Sequence, residues 1–150
     1  GQVVVSGHKE AIDRLNELAL KKGAKRALLL PVSAPFHSPL MQPAALEMAE
    51  ALAKVNVSDA YPSILSNVTA EPVTKADTIK TSLVEQVTGR VRWRESMLKL
   101  KDLSVTHSVE IGAVKVLTGL TKRIDPTLTA TSVTTIADID AFLNLFSKNH

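Results

Sequence analysis

One histidine stands in a proline-bounded loop, PVSAPFHSPLM at residues 31–41, between an aromatic side chain and a serine. Imidazole has an unperturbed pKa of ~6.5 and so accepts and returns a proton near neutrality, which makes His37 the strongest single candidate for chemistry in the chain. The loop alone supports two readings: a general base at the edge of a site, or a hydrogen-bonded structural histidine, since no nucleophile is visible beside it. Other chemistries lack their residues. The glycines, at 1, 7, 23, 89, 112 and 119, form no G-x-G-x-x-G, no phosphate loop and no G-x-S-x-G elbow. The histidines, at 8, 37, 107 and 150, never pair at i, i+3 or i, i+4, and none adjoins a compact carboxylate cluster, so no metal site is expected.

The elements that must position that loop are legible in outline. Gly1 opens directly into Gln2-Val3-Val4-Val5-Ser6, a β-branched run of strand character and an abrupt start for a domain. Ala11, Ile12, Leu15, Leu18 and Ala19 recur at helical spacing, Lys21 and Lys22 suit the negative end of a helix dipole, and Gly23 sits where a C-terminal cap belongs. RALLLPV, residues 26–32, reads as a buried strand, so the first third is expected to be a strand–helix–strand unit. Leu40, Met41, Ala44, Ala45, Met48 and Leu52 predict a second helix with Pro43 in its first turn.

Further on, the pattern predicts a short strand over 63–68, a turn at Glu71-Pro72, and helices over about 77–88 and 93–101. A strand over 105–111, a helix over 115–124 and a strand over 127–132 follow. The closing helix, which includes Phe142 and Phe146, is started by a box of Thr135 with Asp138. Strands alternating with helices predict an α/β fold with a largely parallel sheet, and no internal repeat, low-complexity segment or flexible linker interrupts it.

Composition narrows the function classes. Apolar residues make up 45% of the 150 positions but aromatics only 3%, so the core must come from Leu, Val, Ile and Ala, and base-stacking platforms for nucleic acid are not expected. Lys and Arg number 18 against 15 Asp and Glu, a net charge of +3 without a long block, which favours anionic partners only weakly. Without cysteine there is no disulfide framework and no thiolate zinc site, a composition compatible with a reducing cytoplasm. GQVVVSG is too short and uncharged for a secretory signal, and no apolar run approaches the roughly 20 residues of a membrane span, so a soluble, cytoplasmic chain is expected.

Taken in order, the segments GQVVVSG, GAKRALLLPVSAPFHSPLMQPA, NVTAEPV, LVEQVTGRVRW and VEIGAVKVLTGLTKRI resemble the C-terminal half of the malonyl-CoA:acyl-carrier-protein transacylases of bacterial type II fatty acid synthesis. The resemblance runs over nearly all of the chain. It implies an α/β fold, with residues 1–33 forming part of a ferredoxin-like small subdomain and residues 34–150 the C-terminal part of an α/β-hydrolase-like acyltransferase core. It implies transfer of a malonyl group from coenzyme A to the phosphopantetheine thiol of acyl carrier protein through a seryl acyl-enzyme. Malonyl-CoA and acyl carrier protein are then the partners, without nucleic acid or membrane. No cofactor is expected, the coenzyme A thioester being a substrate.

Site residues carry over one at a time. His37 matches the family's base, which deprotonates a serine in a G-H-S-x-G elbow and then the incoming thiol. Gln86 matches the glutamine whose backbone carbonyl orients that histidine, or else is a polar residue at a helix end. Phe36 matches the position where bulk favours malonyl over α-branched groups by excluded volume, and by itself reads equally as a packing anchor. Lys25 and Arg26 match a basic pair placed to meet coenzyme A phosphates or the acidic carrier, against the plainer reading of a solvated strand edge. Gln2 aligns with a glutamine that lines the cleft.

Three departures from the family matter. The serine with its elbow, the arginine that clamps the malonyl carboxylate and the glutamine-rich oxyanion loop all precede Gly1 in the family. The missing N-terminal half of the same protein is therefore an expected partner, and the isolated chain is expected to be inactive. Gly112-Ala113-Val114-Lys115 replaces the family's G-P-G-K, which leaves the start of the next helix open, and Ser66 replaces a common asparagine before Asn67-Val68, which leaves a loop hydrogen bond open. Alternative readings are a fragment of a trans-acting polyketide acyltransferase, a non-catalytic module binding carrier protein or coenzyme A, and a structural domain with an inert His37. A sheet cut mid-domain exposes a strand edge and apolar faces, so the chain is expected to associate in solution, and sedimentation as a well-folded monomer would count against that.

Overall fold

Local signals account for most of the helices in the computed structural model, which describes residues 2–147 and the side chains of residues 2–144. Gly1, His150 and the side chain of Phe146 lie outside the described residues. Helix α1, Lys9–Lys21, follows the predicted apolar spacing and stops at a two-bond cap. There Gly23 N–H donates to Leu20 O at 3.0 Å and Ala24 N–H to Ala19 O at 2.9 Å, with Gly23 at φ 93°. A Cβ at Gly23 meets nothing within 4 Å, so glycine is needed there for its conformation and not for space.

Two compact units form, one up to Arg92 and one from Trp93 on. In the first, a single 3-10 turn, Pro39–Met41, leads into α2, Gln42–Ala53, whose Pro43 falls in the first turn where a missing N–H costs nothing. Helix α2 packs along α3, Ala76–Thr88, and Ala45 and Ile79 are their buried residues. Asp59 accepts from Lys75 Nζ at 2.7 Å and from Ala76 N–H at 2.9 Å, bonds that hold its carboxyl below the usual range and satisfy the start of α3. Strands β1, Ile64–Leu65, and β2, Pro72–Val73, pair antiparallel as Ile64↔Val73 and Leu65↔Pro72.

The second unit runs α4 (Trp93–Asp102), β3 (His107–Ile111), α5 (Val116–Ile124), β4 (Thr129–Val133) and α6 (Ile136–Ser147). Strands β3 and β4 are parallel, in register from His107↔Thr129 to Ile111↔Val133, and α5 makes the crossover. Met97, Leu128, Ala130 and Val133 are the buried apolar residues among the described side chains of this unit. Lys115, at the N-cap of α5, gives no side-chain cap; the carboxylate of Glu110 on β3 does the work instead. It accepts Leu117 N–H at 3.0 Å, Thr118 N–H at 2.7 Å and the Thr118 hydroxyl at 2.7 Å, and these donors hold its carboxyl below the usual range. The helix after Ala113-Val114 thus forms without Pro or Gly at those positions. Helix α6 starts on the predicted box: Asp138 accepts from Thr134 N–H, the Thr134 hydroxyl and Thr135 N–H, while its own N–H donates to Thr135 Oγ1 at 3.2 Å.

Mixed helix and parallel strand make the fold α/β, and three expectations are corrected. Residues 2–6 and 26–32 are not strands: neither is paired to any described residue, and Val3 is 85% and Leu28 73% exposed. β-branched and leucine-rich runs suit a pleated, half-buried surface, but a strand exists only when another backbone completes its ladder. Second, the strand over 63–68 shrinks to Ile64–Leu65, and Pro72 pairs in β2 while the turn sits before it, over 66–70. Third, among the described residues one two-stranded sheet is parallel and one antiparallel, where a largely parallel sheet was expected. The boundary at residue 33 between small and large subdomains concerns a different division from the two compact units and stays an expectation. Among the described residues no helix is long and apolar enough to cross a membrane.

Gly23→Ala should destabilise the first unit by about 1–2 kcal/mol, the cost of a left-handed L-residue, in urea unfolding followed by circular dichroism. An unchanged midpoint would mean the cap does not hold α1. The hydrogen bonds that the Asp138 carboxylate accepts, led by those from Thr134 and followed by those from Thr135, depress its pKa strongly. A carboxyl depressed in the folded state contributes stability that is fully present above its unfolded pKa and is lost as pH falls through its folded one. The thermal midpoint should therefore drop as pH falls below about 4. Asp138→Asn should flatten that drop, and equal acid sensitivity in the variant would remove Asp138 from the account.

Candidate functional site

The loop over 31–41 is wound tightly by its own backbone. Val32 N–H donates to Leu30 O at 2.8 Å, Phe36 N–H to Ala34 O at 2.9 Å and Met41 N–H to Ser38 O at 3.0 Å. Ser38 is only 4% exposed, and its Oγ donates to Pro35 O at 2.7 Å, bridging over Phe36 and His37. Inside that bridge His37 takes φ 59°, a left-handed conformation that a side chain with a Cβ adopts at a cost of about 1–3 kcal/mol unless its surroundings enforce it.

One enforcing contact reaches across the unit. His37 Nδ1 lies 2.8 Å from the backbone O of Gln86, 49 residues away in sequence. A carbonyl can only accept, so the ring donates from Nδ1 and the neutral imidazole keeps its lone pair on Nε2. Gln86 lies in the last turn of α3, where carbonyls have no partner further along the helix and carry the negative end of its dipole. His37 itself is exposed, and Gln86 is half-buried. An oriented imidazole with a free Nε2 can take a proton from a hydroxyl or thiol placed at hydrogen-bonding distance and return it.

The other sequence candidates are distributed differently. Phe36 neighbours the base and is 45% exposed, so its ring stands at the surface and is not sunk in the core. Gln2, Lys25 and Arg26 are exposed, and no hydrogen bond or ion pair among the described residues links them to the His37–Gln86 pair. Sequence reasoning did not single out Ser38, whose signal is the Ser38-Pro39 step that opens the 3-10 turn. The loop bond left open at Ser66 is made: the buried Ser66 Oγ accepts Val68 N–H at 3.3 Å and Thr69 N–H at 3.5 Å. A serine hydroxyl closes this kind of turn as an asparagine side chain would.

Comparison with known proteins supplies the rest. No family model matches the chain. The malonyl CoA-acyl carrier protein transacylase of Escherichia coli K12 is 43% identical over 145 residues, 97% of this chain and 47% of that protein. The transacylase of Bacillus subtilis is 44% identical over 133 residues, 89% of this chain and 42% of that protein. Among solved structures, the acyl-carrier-protein-S-malonyltransferase of Bartonella henselae superposes with a TM-score of 0.89 at 46% identity, covering 94% of this chain and 45% of that one. PlMCAT:AntF, a type II polyketide acyl-carrier protein in complex with its malonyl-transacylase, superposes with a TM-score of 0.86 at 40% identity, covering 92% of this chain and 45% of that one. The chain spans about half the length of the curated relatives it matches. By sequence and by fold the chain is similar to malonyl CoA-acyl carrier protein transacylases over nearly all of its own length and somewhat under half of theirs.

Proposed function

We propose that this chain is the C-terminal half of an enzyme that moves a malonyl group from coenzyme A to the phosphopantetheine thiol of acyl carrier protein, in the cytoplasm. The observation that carries this reading is the 2.8 Å contact of His37 Nδ1 with Gln86 O, which leaves Nε2 free as a base. In the first half-reaction a serine Oγ attacks the thioester carbonyl while Nε2 takes its proton. The carbon–sulfur bond then breaks and the proton passes to the departing coenzyme A thiolate. In the second, Nε2 takes the proton of the carrier thiol, its sulfur attacks the acyl-serine, and the proton returns to the serine oxygen.

Among these residues there is no G-x-S-x-G elbow, so His37 is the catalytic residue this chain supplies, and the serine comes with the other half of the fold. Gln86 is a positioning residue acting through its main chain. Phe36 limits the width of the acyl group beside the base. Lys25 and Arg26 meet the phosphates of coenzyme A or the acidic carrier, supported by their exposure and charge, and Gln2 lines the cleft. The likeness to PlMCAT:AntF supports a second reading in which the carrier protein belongs to polyketide synthesis and the chemistry is unchanged.

The 150 residues alone should transfer no malonyl group in a steady-state assay, and turnover that His37→Ala abolishes would overturn the division of the site between two halves. In the protein with both halves present, His37→Ala should lower transfer by several orders of magnitude with the fold intact. Gln86→Ala should lower it far less, because the contact uses the backbone. Near-normal activity in His37→Ala would remove this histidine from the mechanism. Replacing Lys25 and Arg26 together by Ala should raise KM for carrier protein or malonyl-CoA and weaken its salt dependence while kcat holds; an unchanged KM for both substrates would remove the pair from binding.

A further inference from the structure

The bond that orients His37 depends on where α3 stops, and that point is set by residues that touch neither the histidine nor a substrate. In a continuing helix the carbonyl of Gln86 would accept the N–H of residue 90. Here the chain turns out of the helix at Gly89, whose φ −83° and ψ 153° are extended, while Gly89 N–H still donates to Glu85 O at 2.8 Å. That combination leaves no room for a side chain: a Cβ on Gly89 would lie 2.8 Å from Glu85 O, a backbone atom, and 3.8 Å from Val68 Cγ1. The φ is an ordinary one, so glycine is required by the approach of two backbones and not by handedness.

The exit is then anchored on the loop between β1 and β2. Arg92 N–H donates to Asn67 O at 2.8 Å, and Arg92 Nη1 donates to Thr69 O at 2.9 Å. The loop that receives both is itself closed by Ser66, through its Oγ, by its N–H to Glu71 O at 3.0 Å, and by Ala70 N–H to Ser66 O at 2.8 Å. Each of these bonds has at least one end on the backbone, so the chain that leaves α3 is tied at defined points.

We propose that Gly89, with Arg92 as its anchor, is a positioning residue for the base: by ending α3 at this point it leaves the Gln86 carbonyl to His37 Nδ1 and so selects the tautomer with a free Nε2. A side chain at 89 must push Glu85 O away, and the peptide that moves with it is the one beside Gln86. The imidazole then loses its directional acceptor and redistributes toward the form protonated at Nε2, which cannot act as a base from that nitrogen. The inference deepens the acyl-transfer reading and rests on it for its functional meaning, but its geometry is testable apart from any activity.

The experiment is the tautomer of His37, read from imidazole nitrogen-15 shifts of the labelled 150-residue chain at about pH 8.5, well above the ordinary imidazole pKa of ~6.5. His37→Gln identifies its resonances among those of the other histidines. The parent chain should show His37 protonated at Nδ1. Gly89→Ala should shift it toward Nε2–H with the circular dichroism spectrum retained, and Arg92→Lys, which gives up the guanidinium bond to Thr69 O, should shift it the same way by less. A parent chain protonated at Nε2, or a folded Gly89→Ala that keeps the parent tautomer, overturns the proposal. Should Gly89→Ala fail to fold, Arg92→Lys decides: an unchanged tautomer overturns the proposal and a shift supports it. A tautomer that behaves as expected in a full-length protein without malonyl transfer would instead sink the acyl-transfer reading and leave the geometry standing.

Discussion

A backbone carbonyl has lone pairs and no proton, and from that follows the role of the contact between His37 Nδ1 and Gln86 O. It sets which ring nitrogen carries hydrogen, which way the ring faces and hence which nitrogen is left with a free lone pair. The rest of the first unit reads as the apparatus for holding two backbone points still. Ser38 ties the histidine loop to Pro35, the 3-10 turn fastens that loop to α2, and α2 packs along α3, at whose end the carbonyl lies. The left-handed φ of His37 persists because those surroundings leave it no relaxed alternative.

Using a main-chain acceptor instead of a carboxylate has a chemical consequence. A carboxylate beside the ring would add a full charge that favours the imidazolium, whereas a carbonyl orients the ring with only a partial one. The orienting group also cannot be deleted by replacing a side chain. It can only be moved, and what moves it is the path of the backbone at Gly89 and Arg92.

The second unit solves a similar problem with carboxylates. Glu110 and Asp138 each gather the free N–H groups at the start of a helix, and in both the donors favour the ionised form. Glu110 reaches the start of α5 from β3, so the crossover between the parallel strands is fastened by a side chain from the strand it leaves. The start of α5 after Ala113 and Val114 is thus satisfied from outside the loop.

Features decided by neighbours along the chain could be read from residue order alone. The span of α1 with its stop at Gly23, the tolerance of Pro43 and the start of α6 at Thr135 and Asp138 were legible because caps and periodicity act over a few residues. The runs at 2–6 and 26–32 carry the same kind of local preference, yet they form no strand, because a ladder needs a second backbone and no sequence window contains one. The site divides along the same line. His37 announces itself through its residue type, and an ordered resemblance across five segments was needed to name Gln86, since a backbone carbonyl is present at every position and marks none. Only the tertiary structure decided which carbonyl the ring meets, because a contact between atoms 49 residues apart depends on how α2 lies on α3 and where α3 ends.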